Sequence, residues 1–175
     1  MNKTIAALAL VLGSVVVVVG ETPAQAKLQA QLKRVFPAAT SFSAKEGNLP
    51  HYKAYVPDPK TGQQAVAGYV YWTTELEPLE RGYDGPIKMM VGVDTRGVLT
   101  GVLVAEHHEP YGNFSVEPPE FAAQFRGKSI RDPFKVGIDI QAISRATITI
   151  TSASRAIKNS SRRIAKLYLS PESVK

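Results

Sequence analysis

The place where this chain could do chemistry is a threonine hydroxyl in a small-residue turn, closely followed by a strongly basic segment. The stretch reads Asp139-Ile140-Gln141-Ala142-Ile143-Ser144-Arg145-Ala146-Thr147-Ile148-Thr149-Ile150-Thr151. After it, Ser152-Ala153-Ser154-Arg155-Ala156-Ile157 reads as a cap and a helix start, with Ser152 or Ser154 as the N-cap. The first N–H groups of a helix lack intrahelical partners and lie at its positive end, so such a turn can hold an anion. Thr147, Thr149 and Thr151 also alternate with Ile148 and Ile150, the pattern of a half-buried strand. On spacing alone the strand is the plainer reading, and the two agree if Thr147 opens it.

Two further segments carry chemically interesting side chains. Gly82-Tyr83-Asp84-Gly85-Pro86-Ile87 is a glycine–proline turn ahead of an apolar run. Glu106-His107-His108-Glu109-Pro110 places two imidazoles between two carboxylates, which raises the question of a metal. Neighbouring side chains on a strand point to opposite faces, so this pair does not chelate, and no metal site is assigned. A hydrogen-bonding or loop-fixing role for His107 and Glu109 is the better expectation.

The elements that must position these residues form an α+β order. Lys3, the apolar run Ile5 to Val19 and Ala24-Gln25-Ala26 have the layout of a signal peptide cleaved after Ala26. The run is short for a membrane span of about 20 residues, although Val15 to Val19 keep an N-terminal anchor open as the alternative. Residues 27–175 then form one domain. Leu28, Leu32, Val35 and Phe36 sit at helical spacing, and Pro37 stops that helix. Strands follow at Tyr52–Val56, Val66–Thr73, Ile87–Asp94 and Val98–Glu106, the last two joined by a Thr95-Arg96-Gly97 hairpin. After Tyr111 the chain reads as loop through Pro118-Pro119. A short amphipathic helix follows from Glu120, with Phe121 and Phe125 one turn apart and Gly127-Lys128-Ser129 closing it. The last helix, about Ala153 to Tyr168, sets Ala153, Ile157, Ile164 and Tyr168 on one face. The expected fold is a single α+β domain: a mainly antiparallel sheet with an N-terminal helix and a basic C-terminal helix packed on it.

Charge and cysteine usage narrow the function. From Arg126 to Lys175 there are 11 Lys and Arg against 3 Asp and Glu, whereas from Lys27 to Phe125 there are 9 against 11. A solvated basic helix face accounts for most of that surplus. An exported chain with no arginine-rich tail and no aromatic RNA-binding motif is not a nucleic-acid protein. The absence of cysteine excludes disulfides, thiolate metal sites and iron–sulfur clusters. No G-x-G-x-x-G nicotinamide motif is present, which argues against a flavin reductase that uses that cofactor.

Ser144, Ala146 and Thr147 match the D-x-x-S-G-A-T motif of the FMN-binding domain family (the NosR/RnfG/NqrC type), with Arg145 at the usual Gly and Gln141 at the usual Asp. The segment Val35-Phe36-Pro37-Ala38-Ala39-Thr40-Ser41-Phe42 resembles that family's FPxA step, the Gly82 segment its GYxGPI step, and the Glu106 segment the EHHEP of its NosR-like branch. The resemblance spans nearly all of residues 27–175 in the right order. It implies FMN joined through its phosphate to Thr147, with Ser144, Arg145 and Ala146 shaping the acceptor turn. Tyr83, Gly85 and Pro86 are then expected beside the isoalloxazine ring, with His107 and Glu109 close by. It implies an electron carrier rather than a substrate-transforming enzyme, matured by an FAD:protein FMN transferase and served by periplasmic or membrane-bound redox partners. Arg145 and Gln141 leave a rival reading, a degenerate domain that binds no flavin and acts as a structural or assembly module.

Secreted material is expected to begin at Lys27, which intact-mass measurement reads directly. Recovery of Met1 to Ala26 still attached, in a membrane fraction, establishes the anchored form instead.

Overall fold

The computed structural model describes residues 22–171. The apolar run Ile5 to Val19 lies outside the described residues, while Ala24-Gln25-Ala26 falls in the first turn of helix α1 (Pro23–Val35). Thr22 caps that helix in a reciprocal capping box with Gln25, with Pro23 leading the first turn. Its apolar positions bury Leu32 and Val35, and Phe36 follows fully packed before Pro37.

Five strands follow, interrupted by one helical turn: β1 (Ser41–Phe42), β2 (Tyr52–Pro57), β3 (Gln64–Trp72), α2 (Thr73–Leu76), β4 (Lys88–Asp94) and β5 (Leu99–Glu106). They pair antiparallel in sequence order, β1-β2-β3-β4-β5, a meander in which every connection is local. Asp94 locks the β4–β5 hairpin by accepting from the N–H groups of Arg96 and Val98, both at 2.9 Å, with Gly97 at φ 77°. The strand expected to run through Thr73 ends at Trp72. Thr73 instead begins α2, and its hydroxyl donates to Ile87 O and accepts from Met89 N. The 111–118 segment, expected as loop, contains a short turn of helix, α3 (Gly112–Ser115); α4 (Pro119–Ala123) follows and ends well before Gly127.

Side-chain alternation sends each strand to both faces of the sheet. Val70, Trp72, Met90 and Leu103 pack under α1, while Tyr69, Tyr71, Met89, Val91 and Val93 pack under α4 and α5 (Thr147–Tyr168). The result is the expected α+β domain with helices packed on an antiparallel sheet, and the helices lie on opposite faces so that the central strands are buried on both sides.

Helix α5 departs from the sequence reading. It begins at Thr147, not near Ala153, and the Thr-Ile alternation is helical. Ile150, Ala153, Ile157 and Ile164 fall on one face and are all buried, so packing against the sheet overrides the strand preference of β-branched residues. Its basic residues are not simply a solvated face. Arg162 donates from Nε to Ile130 O at 2.8 Å and Arg155 from Nε to Glu80 at 2.6 Å, so both tie loops to the helix.

The C-terminal end of α1 reaches the sheet over a pair of facing glycines, Gly92 on β4 and Gly101 on β5. A Cβ on either would stand 2.8 Å from Val35 O, and Thr100 Oγ1 donates to the same carbonyl at 2.7 Å. Gly101→Val should therefore cost about 2–3 kcal/mol in chemical denaturation through overpacking against backbone. A loss below about 0.5 kcal/mol, the range of an ordinary surface change, is inconsistent with this docking.

Candidate functional site

The turn leading into Thr147 is built by backbone geometry. Ala146 N donates to Ile143 O at 3.1 Å, and the first helical bond of α5 is Ile150 N to Ala146 O at 2.9 Å. The N–H groups of Thr147, Ile148 and Thr149 therefore lie at the open end of the helix. The N-cap is Ala146, which has no side-chain oxygen to fill that role, so the N-cap expected at Ser152 or Ser154 is corrected. Those serines are a full turn or more inside the helix and buried, and Ser152 Oγ donates to Glu80 Oε1 at 3.1 Å.

Arg145 precedes the cap in the left-handed region, φ 67°. That backbone conformation costs a non-glycine residue about 1–2 kcal/mol, which gives a physical reason for the Gly of the motif it resembles. Thr147 itself is exposed at the first helical position.

Arg145 through Thr149 line one wall of a cavity of about 310 Å³, with Tyr83, Pro110 and Tyr111 opposite. Tyr83 is 70% exposed, and Tyr111 rests on Phe114 with ring centroids 5.3 Å apart. Tyr83, Arg145, Ala146 and Thr147 from the sequence reading thus meet at one cavity. Ser144, Gly85, Pro86 and His107 do not line it. Gly85, at φ 126°, instead shapes the loop, its carbonyl accepting from Gly82 N at 2.7 Å. Tyr111 and Ile148 escaped the sequence reading, although Tyr111 directly follows the Glu106–Pro110 segment and Ile148 adjoins the threonine. Thr149 was seen only as part of a strand.

Glu109 is the tie beneath this cavity. Its buried carboxylate accepts from Tyr83 N and Asp84 N, both at 3.0 Å, and from the Thr149 hydroxyl. Gly82 packs so closely on it that a Cβ there would displace the carboxylate. Burial pushes the Glu109 carboxyl up, but the Thr149 hydroxyl, the two loop N–H groups and His107 outweigh it and hold the group below its ordinary 4.5.

His107 and His108 follow β5 rather than lying in it. Glu109 N donates to His107 Nδ1 at 3.2 Å, and His107 Nε2 stands 3.2 Å from Glu117 Oε1, while His108 is exposed. Asp139 takes no part in the acceptor turn. It accepts from Phe134 N, Lys135 N and Lys128 Nζ, and Gln141 N donates to Gln124.

Residues 82–162 match the FMN-binding domain family. The matched span contains every residue lining the cavity, the Glu109 tie and the acceptor turn, and FMN is the cofactor of this family. The chain is 31% identical over 119 residues to a subunit of the ion-translocating oxidoreductase complex of Haemophilus influenzae, covering 62% of this chain and 54% of that protein. It is 32% identical over 87 residues to the subunit of the same name from Escherichia coli, covering 44% and 42%. It is also 24% identical over 147 residues to the regulatory protein NosR of Stutzerimonas stutzeri, covering 78% of this chain and 19% of that protein. The chain thus spans about half the length of the Haemophilus protein and a fifth of NosR. Among the described residues no helix is long and apolar enough to cross a membrane.

Cavity and turn fit the cofactor's chemistry. The apolar and aromatic lining of Tyr83, Pro110 and Tyr111 on one side and Ile148 on the other suits a planar aromatic ring, and the open helix end with Arg145 suits a phosphate.

Because the Glu109 carboxyl is depressed, the unfolded chain takes up its proton first as pH falls. The stability Glu109 contributes is therefore full above its ordinary 4.5 and is lost as pH drops through the lower folded value. Glu109→Gln should cost about 1.5–3 kcal/mol at neutral pH, with the gap to the parent closing under acid in denaturation curves. A gap that stays constant down to strongly acidic pH shows that the charge on Glu109 does not hold the loop.

Proposed function

We propose that this chain is an exported flavoprotein carrying FMN joined covalently through its phosphate to Thr147, and that it serves as an electron-transfer carrier in an extracytoplasmic or membrane-associated redox chain. The observation that carries this reading is the placement of Thr147: an exposed hydroxyl at the first position of α5, at a helix end with no side-chain cap, on the rim of an aromatic-lined cavity. The relatives named as subunits of an ion-translocating oxidoreductase complex support a role in electron transfer beside membrane-bound partners.

When bound, the flavin supplies the redox chemistry, and the protein's part is to hold and orient it. The N–H groups of Ile148 and Thr149 and the Arg145 guanidinium would receive the phosphate. Tyr83 and Tyr111 would flank the ring and shield it from water. Glu109 would keep the Tyr83 loop and α5 at a fixed separation through its three accepted hydrogen bonds. Covalent attachment suits a site open to solvent outside the cytoplasm, where a dissociated cofactor is lost. An FAD:protein FMN transferase would make the bond.

Arg145 adopts the left-handed conformation that glycine takes freely, which supports modification despite the missing Gly. Co-expressed with a flavin transferase, the parent should gain one FMN-minus-water mass increment and retain yellow colour after acid precipitation. Thr147→Ala should lose both while changing stability by less than about 0.5 kcal/mol, since the side chain is exposed. Arg145→Gly should be modified about as fully as the parent. A parent that stays colourless while Arg145→Gly turns yellow makes the degenerate structural module the better account. An adduct mapping to Thr149 or Thr151 overturns the site.

A further inference from the structure

The cavity beside Thr147 does not end at the threonine. A second concavity of about 250 Å³ shares Thr147 and Ile148 with it and adds Arg81, Thr151 and Arg155. A third, of about 270 Å³, shares Thr151 and Arg155 and adds Lys135 and Lys158. Together they make one concave surface along the outward face of the first three turns of α5. Five cations line it, and no carboxylate lines any of the three concavities. Only Arg155 of the five forms an ion pair among the described residues, with Glu80; with Arg145 turned to the phosphate, Arg81, Lys135 and Lys158 set the field there. Asp84, on the loop beside Tyr83, faces solvent nearby. At the centre stands Ile148, 58% exposed, with the exposed rings of Tyr83, Tyr111 and Phe114 on one flank.

An apolar centre inside a rim of one charge is the composition of a protein docking surface, the apolar part excluding water and the charges steering approach. We infer that this surface receives a protein partner whose contacting face is acidic, with an apolar or aromatic side chain seated beside Ile148. Charge complementarity names the occupant's chemistry. The concave shape selects a protruding protein segment over a planar anionic bilayer, which meets cations best on a convex or flat face. The inference rests on the proposed function in one respect: a partner bound here stands next to Thr147, where a redox group would exchange electrons. The wide cavity beside β5 offers no such field, because Glu106, Glu117, Arg34 and two histidines line it together.

A random copolymer of glutamate and tyrosine serves as the probe, titrated into the isotope-labelled full chain and into its Thr147→Ala form, with amide shifts followed by NMR. Shifts should concentrate at Ile148, Thr151 and Lys158 and weaken from low salt to about 0.15 M, where exposed charges are largely screened beyond about 8 Å. Lys135→Glu combined with Lys158→Glu should weaken binding about tenfold, whereas Lys60→Glu, on the exposed β2–β3 turn, should leave it unchanged. Equal weakening by Lys60→Glu, or shifts spread evenly over the molecule, means that only net charge is sensed and overturns the surface. Binding to vesicles containing phosphatidylglycerol but not to the copolymer overturns it in favour of a membrane. Localised binding by a chain that never accepts FMN keeps the surface and removes the covalent-carrier reading, so the two fail separately.

Discussion

One buried carboxylate sets the geometry of this molecule's site. Glu109 lies after the last strand, yet it binds the loop before β4 through two backbone N–H groups and α5 through Thr149. A buried acceptor of this kind fixes separation and orientation together, because three donors from two separate elements converge on its two oxygens. The shape of the cavity follows from it: the backbone at Tyr83 and Asp84 is held at a fixed distance from α5, and a side chain on Gly82 would displace the carboxylate that holds it. The histidine beside it extends the arrangement by accepting from Glu109 N and reaching Glu117.

Much of the fold was legible in the sequence because its signals are local. Helical spacing of Leu32 and Val35, glycine in the β4–β5 hairpin and strand-forming runs on either side each act within a few residues. The four expected strands therefore fell within a residue or two of their places, whereas the two-residue β1 carries too little pattern to be seen. The start of α5 was not legible by the same means, since Thr147 to Thr151 carry a genuine strand preference that only burial of Ile150 and Ala153 overrides. Extending the apolar period of the helix backwards from Ile157 through Ala153 and Ile150 to Ala146 would have found it. In the site, Thr147 and Tyr83 were visible through their motifs. The Glu109–Thr149 contact was not, because it joins residues far apart in sequence and depends on a helix that the local pattern misplaces.

The basic character of the C-terminal part divides into two populations once the contacts are known. Arg155, Arg162 and Arg163 reach across to Glu80, to the carbonyls of residues 130–132 and to Glu77, so they act as tethers that fasten loops to α5. Lys128 does the same for the 134–139 loop through Asp139. Lys135, Arg145 and Lys158 are left to shape the potential at the surface. A count of charges treats all of these alike, and only their partners separate structure from recognition.

The meander topology bears on the order in which the molecule comes together. Every strand pairs with its neighbour in sequence, so the sheet closes through short loops, the class of contact that forms quickly. Helix α5 contributes contacts that span far more chain, from Thr149 back to Glu109, from Ser161 to Tyr71 and from Arg163 to Glu77. Loop-closure entropy places such contacts late in assembly. The turn before Thr147 and its cavity exist only after that last helix has seated. Anything that reads the geometry around Thr147 therefore meets only the finished molecule, and a half-assembled chain presents it with nothing to read.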